Sequence, residues 1–194
     1  MIWNVPNILT LLRIILIPVL VLVFFFSGQW SYQLSAAVFG LAALTDWLDG
    51  YLARRLRQLS PFGAFLDPVA DKLMVAVALV LLVQDNPDYK YAIPAAIIIG
   101  REIAISALRE WMAELGERTR VAVSIIGKIK TTLQMVAILL LLYKVPLGPL
   151  PTHLVGTVLL YIAALLTLWS MVVYLRAAWP LLSGKSGTLP GDGA

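Results

Sequence analysis

The sequence predicts an all-α integral membrane protein with six transmembrane helices and both termini in the cytoplasm. Of its 194 residues, 60% are apolar and only 13% are charged, whereas soluble domains contain about 45–50% apolar and about 25% charged residues. A single soluble core of this size could not bury so much apolar surface. The composition excludes a disordered chain, and the absence of cysteine excludes a disulfide scaffold and cysteine-ligated metals.

Six apolar segments fit the requirement of about 20 helical residues for crossing a hydrocarbon layer of about 30 Å. The first is interrupted only by Arg13 and Pro18, and glycine or proline lies in or beside the connections, as turns require. We therefore expect one six-helix transmembrane domain over residues 1–182, followed by a glycine-rich disordered tail at 183–194. The six segments are predicted at residues 8–26, 33–53, 68–83, 91–108, 121–143 and 153–175.

The distribution of basic residues sets the expected orientation, because cytoplasmic loops are enriched in lysine and arginine. With six spans, only Lys90 and Lys144 fall on one side of the membrane. Both termini and the basic connections are therefore expected in the cytoplasm. The net charge of +4 then reflects orientation, and no nucleic-acid partner is expected. The other side collects Arg13, Arg54, Arg55, Arg57, Lys72, Arg101, Arg109, Arg118, Arg120, Lys128, Lys130, Arg176 and Lys185.

Four aspartates lie where the second segment ends and the third begins. Asp46 and Asp49 are three residues apart, and Asp67 and Asp71 are four apart, so each pair shares one helix face. A charged side chain deep in a bilayer helix costs about 2.5–3.5 kcal/mol on insertion scales, and clustered carboxylates also repel one another. Hard divalent cations suit such a cluster, since Mg²⁺ prefers oxygen ligands and two metal ions can act together in phosphoryl displacement.

Each pair of aspartates also has a purely structural interpretation. Asp67 followed by Pro68 fits a helix start, with the aspartate as the N-cap and the proline at the first helical position. Asp46 and Asp49 could be interfacial charges that pair with Arg54 or Arg57. Neither interpretation explains all four aspartates together, so we favour a metal site.

The pattern around these aspartates resembles the signature of the CDP-alcohol phosphotransferase family. All eight signature residues are present at the family's spacing, and residues 6–13, 101–111 and 127–132 also resemble bacterial members that act on glycerol phosphate. The resemblance implies a six-helix enzyme that transfers a phosphate-linked group from a CDP-alcohol to a hydroxyl and releases CMP. It also implies a requirement for Mg²⁺ or Mn²⁺ in a two-metal site. The signature reads Asp46-x-x-Asp49-Gly50-x-x-Ala53-Arg54, eight residues, then Gly63-x-x-x-Asp67-x-x-x-Asp71.

The resemblance implies three groups of site residues. Asp71 is expected to act as the catalytic base and to help hold a second metal ion, while the first ion is held by Asp46, Asp49 and Asp67. CDP-diacylglycerol is expected to contact Gly50, Ala53, Arg54, Gly63, Asn7 and Thr45. The phosphate of sn-glycerol 3-phosphate is expected to contact Arg101, Arg109, Lys128 and Lys130. Lys128 and Lys130 are two residues apart and point in different directions on a helix.

The lipid substrate requires a cavity at the cytoplasmic interface that opens sideways to the bilayer. We expect a homodimer in the inner cell membrane, with its active site facing the cytoplasm. One alternative is the same chemistry with another acceptor, such as inositol phosphate, or phosphatidylglycerol as in cardiolipin synthesis. A more remote alternative is a divalent-cation transporter, because intramembrane carboxylates also mark ion pathways. The aspartates cluster at one membrane face and in one half of the chain, which disfavours a transporter.

Overall fold

The computed structural model describes residues 4–26, 28–56, 61–114 and 125–182. Within these ranges the all-α prediction is confirmed, and each predicted segment falls within one helix, the fifth from residue 125 onward. The expected tail at residues 183–194 lies outside the described residues. The helices are α1 (Val5–Phe26), α2 (Ser31–Leu56), α3 (Pro61–Asp85), α4 (Tyr89–Glu114), α5 (Ile125–Tyr143) and α6 (Thr152–Leu182), with a 3₁₀ turn at Gly28–Trp30.

The six helices pack as a ring in the order α1, α2, α5, α6, α4, α3 and back to α1, with further contacts of α3 to α2 and α5. Apolar residues from all six helices form its core, among them Leu20, Phe39, Leu79, Ile98 and Ile138. This order places the predicted aspartates of α2 and α3 beside α1 on one side and near α4 and α5 on the other.

The outer surface of the bundle is more apolar than that of a soluble protein. Large apolar side chains face outward, including Leu165 and Trp169, which are 65% and 62% exposed. Charged side chains lie inside, and Arg13 and Lys130 are only 1% and 2% exposed. Buried charge inside a lipid-facing apolar shell is typical of membrane proteins.

Three helices are long and apolar enough to cross a membrane, judged by their length and composition within the described residues. They contain the candidate spans Asn7–Phe26, Tyr89–Glu114 and Thr152–Arg176, and the shorter apolar helix Ile129–Tyr143 accompanies them. The remaining helices, α2 and α3, carry the four aspartates of the signature within their length. The structure therefore supports a multi-pass membrane protein.

The prediction that α3 begins at Asp67 and Pro68 is wrong. The helix begins at Pro61, so Asp67 and Pro68 lie inside it, about two turns from its start. Pro61 occupies the first helical position, where its fixed φ and missing N–H carry no penalty. Asp67 therefore does not cap the helix, and its carboxylate projects from the second turn toward α1.

The end of the bundle away from the aspartates is joined by one ionic contact. Lys144, which follows α5, contacts the carboxylate of Asp85 at the end of α3. Its ammonium nitrogen also lies 4.3 Å from the ring centroid of Tyr32 on α2. Lys144 has a φ of 56°, which is uncommon for a residue other than glycine. Three helices thus meet about 20 Å from Asp71, at a rise of about 1.5 Å per helical residue.

Candidate active site

A cavity of 430 Å³ lies between α2, α3, α4 and α5, and two of the four signature aspartates line it. Asp46 reaches it from α2, and Asp71 reaches it from α3. Its other polar lining residues are Lys72 of α3, Glu102 of α4, and Thr131, Thr132 and Gln134 of α5. Asp67, one turn earlier on the same face of α3, is not among the lining residues.

The N-terminal half of α1 presents a buried polar face to the aspartates. Asn7, Thr10 and Arg13 follow one another at intervals of three residues and are at most 2% exposed. The Thr10 hydroxyl donates a hydrogen bond of 2.5 Å to Asp67 Oδ1. Arg13 lies between the two aspartates of α2: its Nη1 is 2.9 Å from Asp46 Oδ1, and its Nη2 donates to Asp49 Oδ2. Residues of α1 thus contact three of the four aspartates.

Glu102 holds two cations of the predicted acceptor site. Its Oε1 accepts hydrogen bonds from Arg101 Nη1 at 2.5 Å and from Lys130 Nζ at 3.1 Å. Arg101 and Lys130 are both buried, at 9% and 2% exposure, so each needs a nearby anion. The cations lie on different helices, α4 and α5, and Glu102 brings them together at the edge of the cavity.

Residues of α6 orient two of the predicted acceptor-site arginines. Arg109 Nη2 donates a hydrogen bond of 2.6 Å to the hydroxyl of Tyr174, and its guanidinium lies 5.0 Å from the centroid of that ring. The Arg101 guanidinium lies 5.6 Å from the same ring, and its Nη2 donates to the Ser170 hydroxyl at 3.3 Å. Tyr174 therefore makes cation–π contacts with both arginines.

A second cavity, of 320 Å³, adjoins the first between α3 and α4. The two cavities share Lys72, Val75 and Glu102 in their linings. Lys72 donates a hydrogen bond of 2.5 Å to the Ser106 hydroxyl and so bridges α3 and α4 at this boundary. Beyond the boundary the lining is apolar, and we call this second cavity the α3–α4 groove. Its apolar lining residues are Leu73, Val75, Ala76, Ile98, Ile99 and Ile103.

The donor chemistry of the aspartates fits a hard divalent cation, because carboxylate oxygens are the ligands that Mg²⁺ prefers. Within the described residues, no three histidine, cysteine or acidic side chains are grouped as a ready-made metal site. Arg13 contacts Asp46 and Asp49, and Thr10 contacts Asp67. The guanidinium between the two α2 aspartates shows that this position accommodates positive charge.

The comparison with known proteins identifies the family. Residues 3–169 match the model of the CDP-alcohol phosphatidyltransferase family. This chain belongs to the CDP-alcohol phosphatidyltransferase family. A relative from Pseudomonas fluorescens, named CDP-diacylglycerol–glycerol-3-phosphate 3-phosphatidyltransferase, is 58% identical over 185 residues, covering 92% of each chain. Relatives of the same name from Salmonella choleraesuis (strain SC-B67) and Shigella flexneri serotype 5b (strain 8401) are 54% and 55% identical, covering 91% of this chain and 95% of theirs.

The CDP-alcohol phosphatidyltransferase signature lies along α2 and the first half of α3. Asp49 is buried, while the Asp46 side chain is 46% exposed and lines the cavity. Gly50 is partly buried on α2, and Gly63 is buried in the first turn of α3. The side chains of Ala53 and Arg54 lie outside the part of the chain that the structure describes.

The remaining predicted substrate residues differ in their surroundings. Asn7 is buried on the polar face of α1, whereas the Thr45 hydroxyl donates to the Ala42 carbonyl of its own helix at 2.7 Å. Among the predicted acceptor-site residues, Arg101 and Lys130 meet at Glu102, and exposed Arg109 contacts Tyr174. The side chain of Lys128 is outside the described residues.

Four residues of the site have contacts that the sequence alone does not predict. Arg13 and Lys72 are expected on the cytoplasmic side, and Arg13 also lies in the stretch 6–13 that resembles the family, but neither is assigned a partner. Ser170 and Tyr174 carry no expectation. A signal for α6 was present, since Thr167, Ser170 and Tyr174 follow a helical spacing of three and four within an otherwise apolar segment. That spacing indicates a polar face directed into the bundle.

Proposed function

We propose that this protein transfers the phosphatidyl group from CDP-diacylglycerol to sn-glycerol 3-phosphate, forming phosphatidylglycerophosphate and CMP. One observation carries the proposal: a single cavity is lined by two signature aspartates and by Glu102, which gathers Arg101 and Lys130. A site for a phosphorylated acceptor then lies next to the site of phosphoryl transfer. The names of the relatives support the same substrates.

Asp71 is the proposed general base. It lines the cavity from α3, as Asp46 does from α2. Its carboxylate takes the proton from the acceptor hydroxyl as the hydroxyl oxygen bonds to the phosphorus that carries diacylglycerol. The bond between that phosphorus and the oxygen of CMP breaks, and CMP leaves with the bonding electrons.

The four signature aspartates are the proposed ligands of Mg²⁺ or Mn²⁺. Asp46, Asp49 and Asp67 hold one ion in this proposal, and Asp71 contributes to a second. When bound, the metal supplies positive charge that stabilises the diphosphate and the departing CMP. The protein's own contribution is to carry the four carboxylates on two helices, with contacts from α1 holding Asp46, Asp49 and Asp67 in place.

The acceptor phosphate is proposed to contact Arg101, Arg109 and Lys130. Arginine suits this task because its planar guanidinium can donate two parallel hydrogen bonds to phosphate oxygens. Glu102 and Tyr174 hold these cations near one another before the acceptor arrives. Of the two lysines on α5, Lys130 is the better candidate because its side chain is buried beside Glu102.

The α3–α4 groove is the proposed site of an acyl chain of CDP-diacylglycerol. Its lining is almost entirely apolar, and it adjoins the polar cavity at Lys72, Val75 and Glu102. A lipid substrate has the same arrangement, with a charged head group joined to apolar chains. Ile103 lines the groove and is 66% exposed, so the groove reaches the outer surface of the bundle.

We further propose that all six helices cross the inner cell membrane, with both termini and the aspartates at the cytoplasmic side. The ring packing and the excess of basic residues on one side support this arrangement. The family resemblance also implies a homodimer, which a mass measurement on the solubilised protein would test. Cysteine scanning with a membrane-impermeant reagent tests the orientation, since the natural chain has no cysteine.

The deciding experiment supplies purified protein with labelled CDP-diacylglycerol and Mn²⁺ or Mg²⁺, together with one acceptor at a time. CMP release that depends on sn-glycerol 3-phosphate and on the metal is the expected result. Release only with inositol phosphate or phosphatidylglycerol would assign a different acceptor. Metal uptake into proteoliposomes without CMP release would instead indicate a transporter.

A further inference from the structure

We propose that Arg13 is a built-in counter-cation for Asp46 and Asp49, and that it takes the place of the divalent metal when no metal is bound. This inference rests on the metal site of the proposed function. Arg13 is a positioning residue in this proposal, since it acts through the aspartates and not on the substrate. Its role differs from that of the signature residues, which lie on α2 and α3.

The Arg13–Asp49 ion pair is buried, so the charge of each partner must be balanced by the other. Arg13 is 1% exposed and the Asp49 side chain is 5% exposed, so neither charge is compensated by water. Removing one partner of a buried ion pair leaves the other as an uncompensated charge, which is strongly destabilising. One cation thus balances charge on two aspartates, Asp46 and Asp49.

The position of Arg13 favours competition with a metal. Its Nη1 and Nη2 approach one oxygen each of Asp46 and Asp49, and carboxylate oxygens are what Mg²⁺ or Mn²⁺ would coordinate. Among the described residues, Arg13 Nε and Nη1 are buried without a hydrogen bond of good geometry. The guanidinium is therefore incompletely satisfied here, which suits a contact that gives way to a metal.

A comparison with Thr10 distinguishes charge compensation by Arg13 from a purely structural contact between helices. It lies one turn before Arg13 on the same face of α1 and donates to Asp67 on α3. The Thr10 hydroxyl carries no charge, so it fixes the position of a carboxylate without neutralising it. Of these two residues on α1, Arg13 combines positioning with charge compensation, so its removal should change the response to metal more than removal of the Thr10 hydroxyl.

The test measures thermal unfolding of the purified protein in EDTA and in Mn²⁺. In EDTA, Arg13→Gln should lower the melting temperature by at least about 5 °C. Because a ligand stabilises the state that it binds, Mn²⁺ should then raise the melting temperature of Arg13→Gln more than that of the wild type. Arg13→Lys should recover part of the stability in EDTA, since it keeps the charge but loses the two-pronged geometry.

The matched control is Lys144→Gln, which breaks the contact with Asp85 at the other end of α3. It should lower the melting temperature in EDTA and leave the Mn²⁺-induced rise as in the wild type. An Mn²⁺-induced rise in Arg13→Gln that does not exceed that of the wild type would overturn the inference about Arg13 alone. If Mn²⁺ stabilises neither the wild type nor Arg13→Gln, the proposed metal site is wrong. The proposal that Arg13 takes the place of the metal is then wrong as well.

A double variant keeps the inference testable if Arg13→Gln does not fold. Arg13→Gln combined with Asp49→Asn removes both members of the buried pair, so it should be more stable in EDTA than Arg13→Gln alone. If the double variant folds and Arg13→Gln alone does not, this result supports charge compensation by Arg13. A double variant no more stable than the single one contradicts it.

Discussion

Lys130 Nζ of α5 lies 3.1 Å from Glu102 Oε1 of α4, the same oxygen that accepts a hydrogen bond from Arg101. One carboxylate therefore keeps two buried cations at the edge of the cavity that Asp46 and Asp71 line. The two cations would repel each other without it. This contact joins the proposed acceptor site to the proposed metal site.

Replacing Glu102 by alanine should raise the KM for sn-glycerol 3-phosphate at least tenfold, because Arg101 and Lys130 lose the anion that orients them. The KM for CDP-diacylglycerol should change much less. Steady-state kinetics with each substrate varied in turn measures both values. The control is Glu110→Ala, which removes an exposed carboxylate from the same helix and should leave both constants unchanged. Equal effects on the two KM values would contradict this role for Glu102.

Two substitutions at Tyr174 should separate its ring from its hydroxyl. Tyr174→Phe removes the hydrogen bond from Arg109 and keeps the ring against both arginines, whereas Tyr174→Leu removes both interactions. We expect the KM for sn-glycerol 3-phosphate to rise modestly in the first variant and about tenfold in the second. Tyr161→Leu on the same helix serves as the control. A result in which the leucine variant matches the wild type would exclude Tyr174 from the acceptor site.

Asp71→Asn should reduce turnover by at least about 10³-fold, since an amide cannot accept the acceptor's proton and is a poorer metal ligand. The variant should remain folded, because the amide is nearly the same size as the carboxylate. CMP release and size-exclusion chromatography measure the two properties. The control is Asp88→Asn, which changes a partly exposed residue before α4 that pairs with Lys90 at 3.8 Å, and it should behave as the wild type. Near-normal turnover of Asp71→Asn would rule out its role as the base.

Filling the α3–α4 groove with Ala76→Trp should lower kcat/KM for long-chain CDP-diacylglycerol more than for a short-chain analogue. The indole would occupy volume that an acyl chain needs, while the polar cavity keeps its lining. Val80→Trp, one turn further along α3 at a 58% exposed position, is the matched control. If Ala76→Trp affects both chain lengths equally, the groove does not hold an acyl chain.

Gly156 allows α5 and α6 to approach closely. A Cβ at this position would lie 2.9 Å from Leu141 Cγ and 3.2 Å from the Ala137 carbonyl oxygen, so Gly156→Ala should destabilise the protein by about 1–3 kcal/mol. Gly100→Ala adds the same methyl group on α4 where no atom lies within 4 Å, and it should be neutral or slightly stabilising. Thermal unfolding of the two variants measures the difference. A stability of Gly156→Ala equal to that of Gly100→Ala would show that the helices can separate without cost.

The sequence predicts structure best where hydrophobic or acidic residues recur at a regular spacing along the chain. Apolar runs placed all six helices, and the spacing of Asp46 and Asp71 within their helices placed both beside one cavity. The predicted start of α3 is wrong because the segment contains two prolines, Pro61 and Pro68, and either could occupy the first turn of a helix. Local pattern alone does not distinguish them.

Contacts between distant helices were not predictable in the same way. Arg13 is separated from Asp46 by more than thirty residues in the sequence. Its positive charge is also explained by the predicted orientation of the protein in the membrane, which requires no partner for it. The role of Tyr174 is not evident from the sequence because α6 is apolar almost throughout and contains few polar residues. In both cases the missing information was which helix faces meet in the folded bundle.

The polar face of α1 has a consequence for how the protein is made. During synthesis α1 emerges first, and Arg13 then has no carboxylate to contact until α2 follows. An unpaired arginine disfavours insertion of a lone helix, by about 2.5–3.5 kcal/mol at mid-bilayer, so even the position of Arg13 nearer the proposed cytoplasmic end of α1 carries part of this cost. We therefore expect α1 and α2 to leave the translocon together as a helical hairpin, with the salt bridges of Arg13 already formed when they enter the lipid.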